Sequence, residues 1–343
     1  MPALAIAPLT PWITAAALQH GHALPDHLMQ RLGISRRRAN RLLQRLVDAQ
    51  WLKVAGSPRR RHHQPGELRQ VVRSYLLAGL QEDLPWRRDF APFFDLPATV
   101  SAMAQHAFTE LLNNAIDHSG GQQVTVSMRQ TPLQLQLLVS DDGCGLFDRI
   151  AGSFDIDDAT LAMLELGKGK LSSAPDRHSG HGLYFTSRLA DVFDIHANAQ
   201  AFQSRAWERR TWRAGRGGSI AARAGTSIYM AIALDTPRTL EAVRQAYSTS
   251  GTGCDFSRTE VPLVLLSGSA GALVSRAEAR RAARRLGQFR RADLDFTGVA
   301  AVGHGFADEL FRVFARECPD VELRPIGMSA AVAAMVQDVR QAA

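Results

Sequence analysis

The chain has 343 residues, of which 45% are hydrophobic and 21% are charged, enough apolar content for the cores of two or three domains. It has no run of about 18 apolar residues, so we expect no membrane-spanning helix, and no charged start before an apolar stretch, so we expect no signal peptide. Its cysteines, Cys144, Cys254 and Cys318, are too far apart for a metal motif and fit a reducing cytoplasm.

The net charge of +7 is concentrated in one part of the chain. Residues 1–66 contain ten Lys or Arg and two Asp or Glu, a surplus of eight, so the other residues sum to about −1. We therefore expect residues 1–66 to form a separate basic domain with a polyanion as its partner.

The order of elements predicted for residues 1–66 is typical of a winged helix-turn-helix domain. We predict helices at 15–20, 25–32 and 36–50, a strand at 51–54 and a turn at 55–58. In such a fold the third helix enters the major groove of DNA and the wing follows the backbone. The arginines expected to contact DNA are Arg36, Arg37, Arg38, Arg41 and Arg45 on the helix and Arg59, Arg60 and Arg61 on the wing. The alternative is a protein-binding winged helix with a solvated charged face.

Residues 67–84 are predicted to form a helical linker. A histidine kinase would carry its phosphoacceptor histidine here, on a dimerising pair of helices, and residues 67–84 contain no histidine. We therefore do not expect a self-phosphorylating histidine kinase.

Residues 110–118 are predicted to form a helix that ends before Gly120. Helical spacing places Glu110, Asn114 and His118 on one face of this otherwise apolar segment. A carboxylate and a carboxamide one turn apart suit general-base catalysis and the binding of a hard metal ion. The segment is therefore a candidate catalytic helix.

Three glycine motifs follow this helix, and the ordered set resembles a known superfamily. A predicted strand ends in Asp141-Asp142-Gly143-Cys144-Gly145, Gly180-His181-Gly182 precedes a predicted helix at 183–190, and Gly225 precedes Thr226. Together with residues 110–118, these motifs resemble the GHKL ATPases, which include gyrase-type topoisomerases, mismatch-repair ATPases, histidine kinases and anti-sigma-factor kinases. The resemblance covers roughly residues 85–235. It implies a Bergerat-type α/β sandwich domain, which we place at residues 85–240, that binds ATP and Mg²⁺.

The resemblance also implies a role for each motif. Asn114 would bind Mg²⁺, and Asp141 would accept a hydrogen bond from the adenine amino group. Gly143 and Gly145 would let the backbone approach the adenine ring. The N-terminus of the helix after Gly180 would face the phosphates. The ATP-binding residues predicted from the last two motifs are Gly180, His181, Gly182, Leu183 and Thr226.

The catalytic prediction rests on Glu110. In relatives that hydrolyse ATP a Glu at this place activates water, and in anti-sigma kinases it activates a protein hydroxyl. His118 either contacts phosphate or closes the helix. Residues 147–178 would form a mobile lid over ATP, from which Lys168, Lys170 or Arg177 would reach the γ-phosphate or remain solvated.

Residues 192–234 are predicted to form strands of a mixed sheet, and residues 258–343 are predicted to form a small α/β domain of alternating strands and helices. The sequence around residues 294–311 resembles a STAS-like domain, related to anti-sigma-factor antagonists. Phosphorylated antagonists carry a serine where this chain has Gly303-His304-Gly305, so we expect a docking or sensory role.

Three functions follow from these features. The first is a cytoplasmic, ATP-dependent switch coupled to DNA binding, with hydrolysis by Glu110 as its reset. The second is an anti-sigma-type serine/threonine kinase acting on a partner, and the third is a non-enzymatic ATP-binding adaptor. Expected partners are DNA, a protein bound by the STAS-like domain, and a second copy of the chain, because GHKL proteins commonly dimerise.

Overall fold

The computed structural model describes residues 5–57, 60–156, 158–171, 180–208, 212–216, 224–250, 255–268 and 271–341. Three parts are distinguished below: the N-terminal unit (residues 5–65), the sheet domain (residues 69–246) and the C-terminal unit (residues 255–341). No helix within these described stretches is long and apolar enough to cross a membrane.

The N-terminal unit consists of three helices and a hairpin, in the predicted order. Its elements are α1 (Thr10–His20), α2 (Leu24–Leu32), α3 (Arg36–Asp48) and the antiparallel strands β1 (Leu52–Ala55) and β2 (His62–Pro65). The apolar face of α3 is buried through Ala39, Leu42, Leu43 and Leu46, as its spacing predicts. The N–H of His63 donates to the carbonyl of Gly21, which ties the hairpin to the turn after α1.

The prediction of a helical linker at residues 67–84 is wrong. Residues Arg69–Leu76 form strand β3, which pairs with the antiparallel strand β4 (Gln123–Gln130) over its whole length. The sheet domain therefore begins before residue 85. Short helical turns follow, at α4 (Asp83–Pro85), Trp86–Phe90 and Ala91–Phe93.

One seven-stranded sheet forms the frame of the sheet domain. Its other strands are β5 (Gln134–Asp141), β6 (Val192–Ala197), β7 (Gln200–Arg205), β8 (Arg213–Arg216) and β9 (Thr226–Ala233). The order is β3-β4-β5-β9-β6-β7-β8, and every pair is antiparallel, whereas a mixed sheet was expected. The carboxyl end of the central strand β5 thus lies beside the start of β9, with Ser140 paired to Ser227.

The sheet domain also contains helices α5 (Ala98–His118), α6 (Leu146–Phe154), α7 (Ala159–Lys168), α8 (Gly182–Leu189) and α9 (Leu240–Ala246). Helix α5 packs directly on this sheet, and the other helices of the domain pack on α5 or on one another. Phe108 and Leu112 of α5 are fully buried in the same core as Val126 and Met230 of the sheet. The segment predicted as a lid loop therefore contains two helices, α6 and α7, while residues 172–179 lie outside the described part of the chain.

The C-terminal unit is built on a parallel sheet of three strands, as its alternation of strands and helices predicts. In chain order the strands of this unit are β10 (Arg258–Pro262), β11 (Ala272–Leu273), β12 (Arg291–Asp295), β13 (Ala301–Val302) and β14 (Glu322–Ile326). The three-stranded sheet is β10-β12-β14, and β11 pairs with β13 in a separate two-stranded sheet. Its helices are α10 (Arg276–Ala283), α11 (His304–Asp308), α12 (Ala315–Glu317) and α13 (Ala330–Gln341), with a π-helical turn at Glu309–Phe314.

Helix α10 ends after eight residues. Its start is fixed by a capping box, in which Ser275 and Glu278 bond to each other's backbone N–H groups. It ends at Ala283, and Arg285 then adopts a left-handed conformation with φ of 64°. This early end leaves backbone carbonyls at the C-terminus of α10 available to the sheet domain, with which the C-terminal unit shares one hydrophobic core.

Candidate nucleotide site

A cavity of about 250 Å³ lies between α5, the ends of β5 and β9, and helices α6 and α8. Nine of the residues predicted for ATP binding or catalysis line it, although they come from four separate motifs. These residues are Glu110, Asn114, His118, Asp141, Gly145, Gly180, Gly182, Leu183 and Thr226. The fold therefore brings the four motifs to one place.

Helix α5 contributes a row of polar side chains to one side of the cavity. Glu110, Asn114 and His118 follow one another at helical spacing, and His106 lies one turn before Glu110. The Nδ1 atom of His106 is 3.9 Å from Oε1 of Glu110. Burial, reinforced by Arg244, lowers the pKa of His106 to about 4, which favours the neutral ring at pH 7.

The position of Glu110 depends on the glycine at the start of α8. A Cβ atom at Gly182 would lie 1.8 Å from Oε2 of Glu110 and 2.6 Å from its Cδ atom. The carboxylate thus occupies the space that only glycine leaves. It lies at the N-terminal end of α8, where backbone N–H groups lack partners within the helix and favour bound anions.

Asp141 lies at the carboxyl end of β5 and is 7% exposed. Its Oδ1 atom accepts hydrogen bonds from the N–H groups of Gly143, at 3.0 Å, and Thr226, at 3.1 Å. Burial raises the pKa of Asp141, and these N–H groups oppose that shift. The hydroxyl of Thr226 accepts from the N–H of Leu146 at 2.9 Å, which fixes the loop after Asp141 to β9.

Gly143 and Gly145 of the second motif are required for different structural reasons. Gly145 lines the cavity and has φ of 92°, a conformation that residues with a Cβ rarely adopt. Gly143 does not line the cavity, and a Cβ there would lie 2.2 Å from the carbonyl oxygen of Ser119 at the end of α5. The role expected for Gly143, approach to the adenine ring, is therefore replaced by close packing of two backbones.

Lys168 and Lys170, predicted to reach the γ-phosphate or to remain solvated, instead contact the C-terminal unit in this structure. The ammonium of Lys168 is fully buried and bonds to Glu165 and to two carbonyls of the C-terminal unit. Lys170 donates to the carbonyl of Gln288 at 2.7 Å. Neither lysine lines the cavity, and Arg177 lies outside the described residues.

His181 is also displaced from its predicted role. Its ring packs against Phe256 of the C-terminal unit, with ring centres 4.8 Å apart, and it does not line the cavity. Burial and the nearby Lys170 lower its pKa to about 4. Its neighbours Gly180, Gly182 and Leu183 do line the cavity, so the motif is placed as predicted apart from this side chain.

Two residues of the cavity region were missed by sequence reasoning. Arg149 of α6 lines the cavity and is exposed, which makes it a cation available to phosphate. The sequence feature that could have identified Arg149 is its position four residues, one helical turn, after Gly145. In the structure the N–H of Arg149 donates to the carbonyl of Gly145 at 3.0 Å. His106 precedes Glu110 by one helical turn, which extends the polar face that the sequence shows.

The donor set fits a magnesium ion that is held mainly by its nucleotide. Among the described residues no three His, Cys, Asp or Glu side chains are grouped to bind a metal. Asn114 offers an amide oxygen on the cavity wall beside Glu110. Mg²⁺ usually keeps several waters and binds proteins through few groups together with substrate phosphates, which matches this wall.

The arginines predicted to contact DNA are placed unequally. Arg37, Arg38 and Arg41 are exposed on α3, and Arg45 is half-buried there. Arg36 pairs with Asp26 of α2, so its charge is partly neutralised. Arg60 and Arg61 are exposed in the hairpin, and Arg59 lies outside the described residues.

Family models match the sheet domain and the C-terminal unit. Residues 66–203 match the model of the histidine kinase-like ATPase domain, and residues 280–333 match that of a STAS-like domain of unknown function. No curated protein matches the chain. The ATPase match begins before β3, in agreement with the place of that strand in the sheet. The chain therefore contains a GHKL-like ATPase domain, a type of domain that binds ATP, followed by a STAS-like domain.

Proposed function

We propose that this protein is an ATP-dependent regulatory switch, in which Mg·ATP binds in the cavity beside α5 and Glu110 promotes its hydrolysis. The observation that carries the proposal is the convergence of Glu110, Asn114, Asp141, Gly182 and Thr226 on one cavity. Asp141 would select adenine, because a carboxylate held by two N–H groups is a fixed acceptor for an amino group.

The phosphates would lie between α5 and the N-terminus of α8. The N–H groups of Gly182 and Leu183 would bind phosphate oxygens, and Asn114 would hold Mg²⁺. When bound, Mg²⁺ neutralises charge that develops on the phosphates. Arg149, which reaches the cavity from α6, would add a positive charge on the opposite side.

Glu110 would act as the general base. It borders the cavity between Asn114 and the start of α8, so a water beside the γ-phosphate would lie within its reach. His106 stays neutral behind it, because burial lowers the pKa of that ring. Glu110 would thus accept the proton of the attacking water without a cationic histidine beside it to weaken it as a base.

We further propose that the N-terminal unit is a winged helix that binds DNA and senses the nucleotide. Its order of helices and hairpin and the exposed arginines of α3 support this reading. The unit is joined to the sheet domain, since the N–H of Gln70 on β3 donates to Thr14 on α1 at 3.0 Å. Arg129 of β4 also lies over the ring of Trp51, 5.5 Å from its centre.

A labelling experiment tests the proposed activity. The full chain and the Glu110→Gln variant are incubated with γ-labelled ATP and Mg²⁺, with and without DNA, and free phosphate and protein-bound label are measured together. The proposal predicts Glu110-dependent free phosphate that DNA changes. Label on a protein hydroxyl without free phosphate would favour a kinase, and neither signal with ATP still bound would favour an adaptor.

A further inference from the structure

The segment from α6 to residue 171 has two faces with different partners. Leu166 and Leu171 line the nucleotide cavity, whereas Lys168 and Lys170, which lie between them, contact the C-terminal unit. Phe154 is shared in the same way, because its side chain lines the cavity and its carbonyl accepts a bond from Arg284 at 3.1 Å. One short stretch of chain therefore touches both the nucleotide site and the STAS-like fold.

Lys168 is the centre of this contact. Its ammonium has three protons and three acceptors: Glu165 at 2.8 Å and the carbonyls of Arg281 and Arg284 at 3.0 and 2.9 Å. Arg281 is in the last turn of α10 and Arg284 is its C-cap residue, so both carbonyls lie at the negative end of the helix dipole. The lysine thus caps a helix of the other domain with a fully satisfied buried charge.

Further bonds reinforce the same contact from both sides. Arg285 binds Glu165 at 3.1 Å and the carbonyl of Gly169 at 3.1 Å. The hydroxyl of Thr259 on β10 donates to the carbonyl of Lys168 at 2.6 Å. The ammonium of Lys170 lies 4.5 Å from the centre of the Phe289 ring.

Helix α8, whose N-terminus borders the cavity, is held to the same unit. Arg188 is buried and pairs with Glu260 of β10 at 3.4 Å. Its guanidinium lies 4.9 Å from the centre of the Tyr184 ring, which lines the cavity. Two chain segments that border the cavity are therefore anchored to the STAS-like fold.

We propose that the C-terminal unit is an intramolecular inhibitor of the nucleotide site, and that its contact with α7 opposes ATP binding. The proposal rests on the proposed function, because it assigns the regulation of the same cavity. The cavity, at about 250 Å³, is smaller than typical small-molecule pockets of roughly 300–1,000 Å³. Phe154, Leu166 and Leu171 would have to move outward to enlarge the cavity, and the C-terminal unit holds this segment through the carbonyl of Phe154 and through Lys168 and Lys170.

Thermodynamic linkage makes the effect reciprocal. If the contact disfavours the ATP-bound arrangement, weakening the contact strengthens ATP binding, and ATP weakens the contact by the same factor. Coupling between sites in proteins is commonly worth roughly 5- to 150-fold in affinity, which sets the size of the expected change.

The test is calorimetric titration of the full chain with Mg·ATP. The first variant, Lys168→Met, removes the buried ammonium. The second combines Lys170→Ala with Thr259→Val; it removes only peripheral hydrogen bonds and serves as the test if Lys168→Met does not fold. Arg280→Ala is the matched control, because Arg280 is on α10 but binds Glu309 within its own unit. Asn114→Ala added to Lys170→Ala with Thr259→Val shows whether the gained affinity belongs to this cavity.

We expect roughly 5- to 150-fold tighter ATP binding in the weakened variants, an unchanged Kd in Arg280→Ala, and loss of the gain with Asn114→Ala. In the wild type, ATP should speed hydrogen exchange of the amides around residues 281–288. If both weakened variants bind ATP no more tightly than the wild type, the inhibitory role of the C-terminal unit is overturned, while the proposed function stands. Absence of ATP binding in every variant overturns the proposed function together with it.

Discussion

Acidification should destabilise the sheet domain through His106. The ring is buried beside Glu110, and burial lowers its pKa from 6.5 to about 4. The unfolded chain therefore takes up a proton near pH 6.5, whereas the folded chain does so only near pH 4. Stability is unaffected above pH 6.5 and falls as the pH drops from 6.5 towards 4, because the unfolded state binds more protons in that window.

The size of this effect follows from the two pKa values. The gap between 6.5 and about 4 corresponds to about 3 kcal/mol of unfolding free energy, since a tenfold change in proton affinity is worth about 1.4 kcal/mol. The side chain is 12% exposed, so solvent screening removes little of it. Replacing His106 by Leu removes the titration and keeps an apolar side chain in the core.

Denaturant unfolding of the wild type and His106→Leu, measured from pH 7.5 to pH 4, tests this reasoning. The difference in free energy between the two proteins should shift by about 3 kcal/mol in favour of the variant as the pH falls. An NMR titration of the His106 ring gives the pKa directly. A difference that shifts in favour of the wild type would show that protonated His106 pairs with Glu110, and the account of a neutral ring would be refuted.

Other perturbations address the cavity and the basic helix. Gly182→Ala should displace the Glu110 carboxylate and lower ATP turnover by about 10²- to 10⁴-fold, and wild-type turnover would contradict the role of that carboxylate. Removing Mg²⁺ with EDTA should weaken ATP binding in the wild type but hardly further in Asn114→Ala, as titrations in both conditions would show. Arg37→Gln and Arg41→Gln should each lower the slope of log affinity for DNA against log salt by about 1, and an unchanged slope would argue for a protein-binding surface.

Much of the cavity could be predicted because its residues follow local rules. Glu110, Asn114 and His118 share a face by helical spacing alone, and Asp141 ends a strand of alternating buried residues. The ordered glycine motifs then indicated which segments meet. Functional residues whose arrangement depends only on spacing within one helix or strand can be predicted from the sequence.

Features set by distant partners could not be predicted in the same way. Arg69–Leu76 is an edge strand only because it pairs with β4, and its apolar residues at 71, 72, 75 and 76 fit a helix equally well. Lys168 resembled a phosphate ligand in a glycine-flanked stretch, but its acceptor on Arg281 lies 113 residues further along the chain. Such long-range contacts leave no local pattern.

Nucleotide selectivity tests the central claim, that the cavity binds ATP through adenine, most directly. GTP presents a carbonyl oxygen where ATP presents an amino group, so the Asp141 carboxylate should reject it. Asp141→Asn keeps an Oδ1 acceptor for the N–H groups of Gly143 and Thr226 but adds a donor. We expect the wild type to prefer ATP over GTP by at least about 100-fold and Asp141→Asn to lose most of that preference. Equal affinity of the wild type for both nucleotides, or a preference unchanged in the variant, would contradict the account.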